Sequence, residues 1–164
     1  MAGVIPRIVS REQALRIAER DPAGLLKIPA FLLDEDMFLS AVRADGMRLG
    51  YVPQKGRNRA VCEAAVHETG MALRFVPKKM LDREICLKAV QRTGLALRYV
   101  PPAFIDWNMA AAAVENDGAA LAYVPEVLKD QDVCLMAVRN NASLASVPKK
   151  ERSRAVWLTA LETG

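Results

Sequence analysis

The stretch CLKAVQRTGLALRYVPPAF, residues 86–104, holds most of one cycle of the pattern that decides this fold. Its Val100-Pro101 recurs as Val52-Pro53, Val76-Pro77, Val124-Pro125 and Val147-Pro148, with Ile28-Pro29 ahead of them, so the marks fall 24, 24, 24, 24 and 23 residues apart. Self-similarity at such a period is the mark of a stacked repeat protein, in which each unit buries its apolar face only against its neighbours. Most residues that draw the eye here are then copies of one structural position.

Registering the repeats on Val-Pro makes the columns readable. Six residues after the Val, or after Ile28, stand Asp34, Asn58, Asp82, Asp106, Asp130 and Ser153. Each is a strong helix N-cap, with a side chain that accepts from an orphan N–H of the first turn. A long helix is expected to start at each, and to stop at Gly46, Gly70, Gly94 and Gly118, where a residue without Cβ can take a left-handed conformation. The fifth repeat is one residue short and has Asn140-Asn141-Ala142 there.

Within the long helix four apolar columns form one amphipathic face. They read Met37/Val61/Ile85/Met109/Val133/Val156, Phe38/Cys62/Cys86/Ala110/Cys134/Trp157, Ala41/Ala65/Ala89/Ala113/Ala137/Ala160 and Val42/Val66/Val90/Val114/Val138/Leu161. The unbroken alanine column points to a close approach between neighbouring elements. After the glycine comes a shorter apolar piece, with Leu49, Leu73, Leu97, Leu121 and Leu144 in one column and Tyr51, Phe75, Tyr99 and Tyr123 in another. Closed by a proline, it reads as a helix of one to two turns held by packing, with the aromatic column beside the Val-Pro core. Residues 5–27 read as a degenerate leading unit, with Ile5-Pro6, Ser10 as a cap and Leu25.

The expected architecture is all-α: a right-handed α-solenoid of tandem 24-residue helix-pair repeats in one domain over residues 1–164. The repeats run 28–51, 52–75, 76–99, 100–123 and 124–146, with the degenerate unit at 5–27 and a partial repeat at 147–164. The pattern Ala-Val, x-x-x-Gly, x-x-Leu-x-Tyr-Val-Pro resembles a short-repeat family of bacteria and protists catalogued as a domain of unknown function, number forty-one-sixteen. The resemblance covers residues 28–164. It implies an all-helical repeat found in multi-repeat proteins, some of them bacterial effectors, and carries over no catalytic or ligand residue.

Apolar residues make up 52% of the chain, enough for a sizeable core, and no run approaches a membrane span. The N-terminus lacks the apolar segment of a cleaved signal peptide and the three cysteines are odd in number, so a reducing, cytoplasmic setting is expected, or delivery into a host cell without a cleaved signal. The net charge of +4 is unevenly spread. Residues 52–75 carry Lys55, Arg57, Arg59 and Arg74 against Glu63 and Glu68 (+2). Residues 76–99 carry Lys78, Lys79, Arg83, Lys88, Arg92 and Arg98 against Asp82 and Glu84 (+4). Residues 100–123 hold only Asp106, Glu115 and Asp117 (−3), and a nucleic-acid solenoid would more often keep one sign along its length.

Candidate chemistry dissolves into the columns. Cys62, Cys86 and Cys134 share one apolar column, offset by a helix spacing of roughly 8–10 Å, so they read as buried hydrophobes rather than convergent metal ligands. His67 is the single histidine and shares a polar column with Arg43, Gln91, Glu115 and Arg139. The carboxylates are mostly caps, and the glycines are lone punctuation rather than a phosphate loop. No catalytic residue, cofactor or metal is expected. What remains is the set of outward, variable positions (Arg43, His67, Gln91, Glu115 and Arg139) and a basic set of Lys55, Arg57, Arg59, Arg74, Lys78, Lys79, Arg92 and Arg98, with Lys149 and Lys150 further on. Of these, Arg74, Lys78, Lys79, Arg92 and Arg98 join the first set as candidates for partner contact. The expectation is a non-enzymatic scaffold for a protein partner, an effector module or an immunity or adaptor protein. The alternative is a nucleic-acid-binding solenoid using the basic stretch 52–99; no membrane partner is expected.

Overall fold

The computed structural model describes residues 10–21 and 23–163, so the Ile5-Pro6 expectation lies outside the described residues. Among them every regular element is helical. Seven long helices recur with the sequence period: α1 (Arg11–Arg20), α2 (Glu35–Ala44), α3 (Arg59–Glu68), α4 (Arg83–Arg92), α5 (Trp107–Asn116), α6 (Gln131–Arg139) and α7 (Arg154–Thr163). Short 3₁₀ segments fill the spaces between them, packed in sequence order as in a helical solenoid. The chain divides into two compact units, Met1–Met80 and Leu81–Gly164. In the first, α1 packs on α2 and α2 on α3; in the second, α4 packs on α5, α5 on α6 and α6 on α7.

Each expected cap is in place. The side chains of Ser10, Asp34, Asn58, Asp82, Asp106 and Asp130 accept from the backbone N–H three residues on, at 2.9–3.2 Å. Ser153 does the same for Val156 at 3.4 Å. From Met37 to Val138 the four apolar columns are buried, with Phe38 the least so at 7% exposure. On α7 only Val156 stays buried: Ala160 is half-buried, Trp157 is 49% and Leu161 77% exposed. A repeat's columns are closed by the repeat stacked after it, and these are the outermost copies described.

Two expectations change. The short pieces are 3₁₀ helices, Gly46–Tyr51, Gly70–Phe75, Gly94–Tyr99 and Gly118–Tyr123. Three residues per turn eclipse positions i and i+3. The glycine, leucine and valine of Gly94-x-x-Leu97-x-x-Val100 therefore form a single buried stripe. That spacing of three recurs at Gly46-x-x-Leu49-x-x-Val52, Gly70-x-x-Leu73-x-x-Val76 and Gly118-x-x-Leu121-x-x-Val124.

The glycines also do a different job from the expected one. No described glycine has a positive φ. α4 stops at Thr93, which is extended (φ −149°, ψ 106°) and donates to Ala89, and Gly94 then opens the 3₁₀ segment. Glycine is required for space. A Cβ on Gly94 would fall well inside contact distance of the Ala113 carbonyl oxygen, and Gly46 and Gly118 meet the Ala65 and Ala137 carbonyls in the same way. The alanine column is thus a contact point, and its opposite member is the glycine of the repeat before it. Where the fifth repeat lacks the glycine, Asn141 takes the left-handed conformation (φ 66°).

Candidate functional site

The surface left over by this packing carries the candidate residues. All ten are exposed: Arg43, His67, Arg74, Lys78, Lys79, Gln91, Arg92, Arg98, Glu115 and Arg139. Arg43 and His67 close the outer ends of α2 and α3 in the first unit, and His67 Nδ1 stands 3.4 Å from Glu68 Oε1. Gln91, Glu115 and Arg139 hold the equivalent positions of α4, α5 and α6 in the second. Arg43 also lines an open groove of about 640 Å³ with Glu19, Asp36, Leu39 and Ser40, where Ser40 Oγ donates to Glu19 at 2.8 Å.

The basic residues separate into three kinds. Some are structural. The Arg57 guanidinium donates to the carbonyls of Val52 (2.8 Å), Phe75 (2.9 Å) and Gly50 (3.1 Å), tying its turn to the short helices on either side. Arg48 is buried and donates to the Ala18 and Glu19 carbonyls at the end of α1. Others are neutralised by carboxylates, as in the pairs Arg59–Glu63, Lys88–Glu84 and Arg83–Asp106. The charge counted over 52–99 is therefore not all presented outward. Lys78 and Lys79 stand exposed in the 3₁₀ turn Lys78–Met80 of the first unit.

The third kind stacks on aromatics. The Arg74 guanidinium lies over the Phe75 ring, 5.0 Å from its centroid. Arg98 lies over two rings at once, Tyr99 and Tyr123, at 5.3 Å from each centroid. The aromatic column, expected beside the Val-Pro core, is half out of it: Tyr51 is 39% and Tyr123 37% exposed, and Phe75 and Tyr99 are half-buried. With three residues per turn, Tyr99 falls one step off the Gly94–Leu97–Val100 stripe, over Ala96, which is buried while the tyrosine ring is only half so.

The titratable groups with shifted ionisation are bound into the scaffold. Burial pushes the thiols of Cys62, Cys86 and Cys134 up to about 11, and all three sit at 0% exposure in one column. The Met37 N–H, and then Arg11, hold the Asp34 carboxyl below its ordinary range. The Arg83 guanidinium, and then the Met109 N–H, do so for Asp106. Among the described residues no cluster of three or more His, Cys, Asp or Glu is placed to hold a metal ion, and no helix is long and apolar enough to cross a membrane.

One row that varies freely in the sequence proves partly structural. Asn116 Oδ1 accepts the Gly94 N–H at 2.6 Å, and its Nδ2 donates to the Gln91 carbonyl at 3.2 Å, closing the end of α4. Sequence reading missed the Arg98–Tyr99–Tyr123 cluster, although the signal was present: Arg-Tyr-Val-Pro followed one repeat later by Ala-Tyr-Val-Pro. No curated protein and no solved structure matches the chain. A family model does match part of it: residues 58–105, from the Asn58 cap through the repeat that carries Arg98 and Tyr99, are similar to the family described as "Domain of unknown function (DUF4116)".

Proposed function

We propose that this chain is a non-enzymatic scaffold that binds a protein partner, with the short-helix face around Arg98, Tyr99 and Tyr123 as its contact surface. The observation that carries this reading is the half-exposed pair of tyrosine rings sharing one arginine. Tyr and Arg are the residue types enriched at the energetic centres of protein interfaces. Support also comes from the ionisable groups, because catalytic sites gather shifted groups in clefts. The shifted groups here are carboxylates at helix ends, the Arg11 guanidinium beside one of them, and core thiols. A delivered effector docking on a host protein and an intracellular immunity or adaptor protein are two settings in which such a scaffold works, both cytoplasmic at the point of action.

The same observation favours a second reading. Stacked Arg and Tyr are also the platform on which single-stranded nucleic acid is held. Tagged chain recovered from its native lysate should bring down one protein in stoichiometric amount. Labelled RNA and DNA should bind no better than non-specifically at low salt. Tight binding of either, falling steeply with added salt, would replace the first reading by the second.

A further inference from the structure

We infer that Arg98 is a preset receptor for a carboxylate, so that the partner anchors on this face through an Asp or Glu side chain. The inference rests on the protein-binding reading and gives it a chemistry. Arg98 is exposed on the 3₁₀ segment Gly94–Tyr99, and its guanidinium carbon lies over Tyr99 and Tyr123 at 5.3 Å from each ring centroid. Two rings restrain the planar group before any ligand arrives, so less rotamer freedom is lost when its edge forms hydrogen bonds. Those edge donors have no hydrogen-bond or ion-pair partner among the described residues. Nearby cations of the second unit differ: Arg83 is held by Asp106 and Lys88 by Glu84.

A fixed, unfilled guanidinium fork matches a carboxylate or a phosphate oxygen pair. The row it stands in decides between them. Positions equivalent to Arg98 in the next two repeats are Ala122 and Ala145, and residues 100–123 contain no Lys or Arg while carrying Asp106, Glu115 and Asp117. Arg74 holds the same place in the repeat before, but from Arg98 onward through the second unit a nucleic-acid strand following the row would meet no further cation, whereas strand binding draws on many phosphate contacts at once. One carboxylate needs one arginine. The half-exposed tyrosines then supply apolar area around the ion pair, shielding it from water.

The test uses the full chain as selector. Random dodecapeptides displayed on phage are selected on immobilised protein, and enriched peptides are synthesised and titrated by fluorescence anisotropy. Enriched peptides should share an Asp or Glu. Changing that residue to Asn or Gln, or the protein by Arg98→Gln, should each weaken binding about tenfold or more, and together little further. Arg98→Lys should not restore affinity, because an ammonium lacks the planar fork. Tyr123→Phe should keep affinity and Tyr123→Ala reduce it, with circular dichroism melting showing that both variants are folded. Acid-free consensus peptides, or acidic ones indifferent to Arg98→Gln, would overturn the carboxylate receptor and leave protein binding standing. Failure to enrich any peptide would count against both. A labelled oligouridylate weakened tenfold by Arg98→Gln would hand the site to phosphate.

Discussion

Asp106 serves two helices at once. Its Oδ1 accepts the Met109 N–H at 2.9 Å as the cap of α5, while its Oδ2 accepts Arg83 Nε and Nη2 at 3.1 and 2.5 Å, Arg83 being the first residue of α4. The relationship repeats one step on, where the first residue of α5, Trp107, donates its indole N–H to Asp130 Oδ2 at 2.8 Å. In the first unit Arg11 of α1 donates to Asp34 Oδ2. Each such aspartate starts its own helix and holds the start of the previous one.

Removing Asp106 therefore loses more than removing its partner. Asp106→Ala should cost about 1–2 kcal/mol, the upper range for a lost N-cap. Arg83→Gln, at a half-exposed ion pair, should cost about 0–1 kcal/mol. Asp106→Asn keeps a cap and should resemble Arg83→Gln. Urea denaturation of the three variants measures the order; equal losses for Asp106→Ala and Arg83→Gln would show that the cap contributes nothing.

Acid should weaken the protein through these same carboxylates. The Asp34 and Asp106 carboxyls are held below their ordinary range in the folded chain, by the Met37 N–H first in one case and by Arg83 first in the other. A depressed folded value means the stabilisation is fully present above the unfolded value of about 3.9 and disappears as pH falls from there through the lower folded value. The urea midpoint should hold steady from neutral pH down to the carboxylate range and then drop. A double Asp34→Asn, Asp106→Asn variant should show a shallower drop. An identical acid limb would exclude these two groups as its source.

Gly94 is a packing glycine, and substitution should show it. An alanine there drives its methyl into the Ala113 carbonyl, a backbone atom held by the Asp117 N–H. The cost should reach about 1–3 kcal/mol, as for overpacking a tight core. Gly50→Ala meets only the Phe75 ring, 2.9 Å from its Cζ, and a half-buried ring can turn aside. Its melting temperature should fall much less. Equal losses would mean that backbone freedom, rather than space, is what both positions need.

Phe38 and Gly56 form a compensated pair. A Cβ on Gly56 would overlap the Phe38 ring, and both residues line a shallow pocket of about 460 Å³ with Leu33, Pro53 and Lys55. In the three repeats that follow, the Phe38 column holds Cys62, Cys86 and Ala110 while the Gly56 column of the repeat after each holds Met80, Phe104 and Leu128. Gly56→Leu alone should destabilise by about 1–3 kcal/mol. Phe38→Cys alone should also destabilise, by opening a cavity. Together they should recover part of the loss, with a coupling of about 0.5–3 kcal/mol in a double-mutant cycle. Strict additivity would show that the two sites do not share space.

Features that depend on residues within one repeat were legible without coordinates. A cap is chosen by its own side chain and the next turn, so Asp34 through Ser153 announce each helix start, and the four columns announce one buried face. The unbroken alanines marked a contact, although its other member could not be read. The period of three in Gly-x-x-Leu-x-x-Val was also in the sequence. A six-residue segment is too short for periodicity to separate 3.0 from 3.6 residues per turn, so only a short helix of one to two turns could be read there.

What the amino-acid order determined by itself was the period, the helix starts and the identity of the core. Tertiary structure alone decided where the second oxygen of each aspartate points, why the glycines are glycine, that Arg57 and Arg48 turn inward to backbone carbonyls, and that Tyr99 and Tyr123 share Arg98 at the surface. The physical reason is common to all four. Each includes a group about one repeat away in sequence, such as Phe75 for Arg57 and Tyr123 for Arg98, brought within a few ångströms only when the repeats stack, and a charged or aromatic letter does not record which neighbour will be there to meet it.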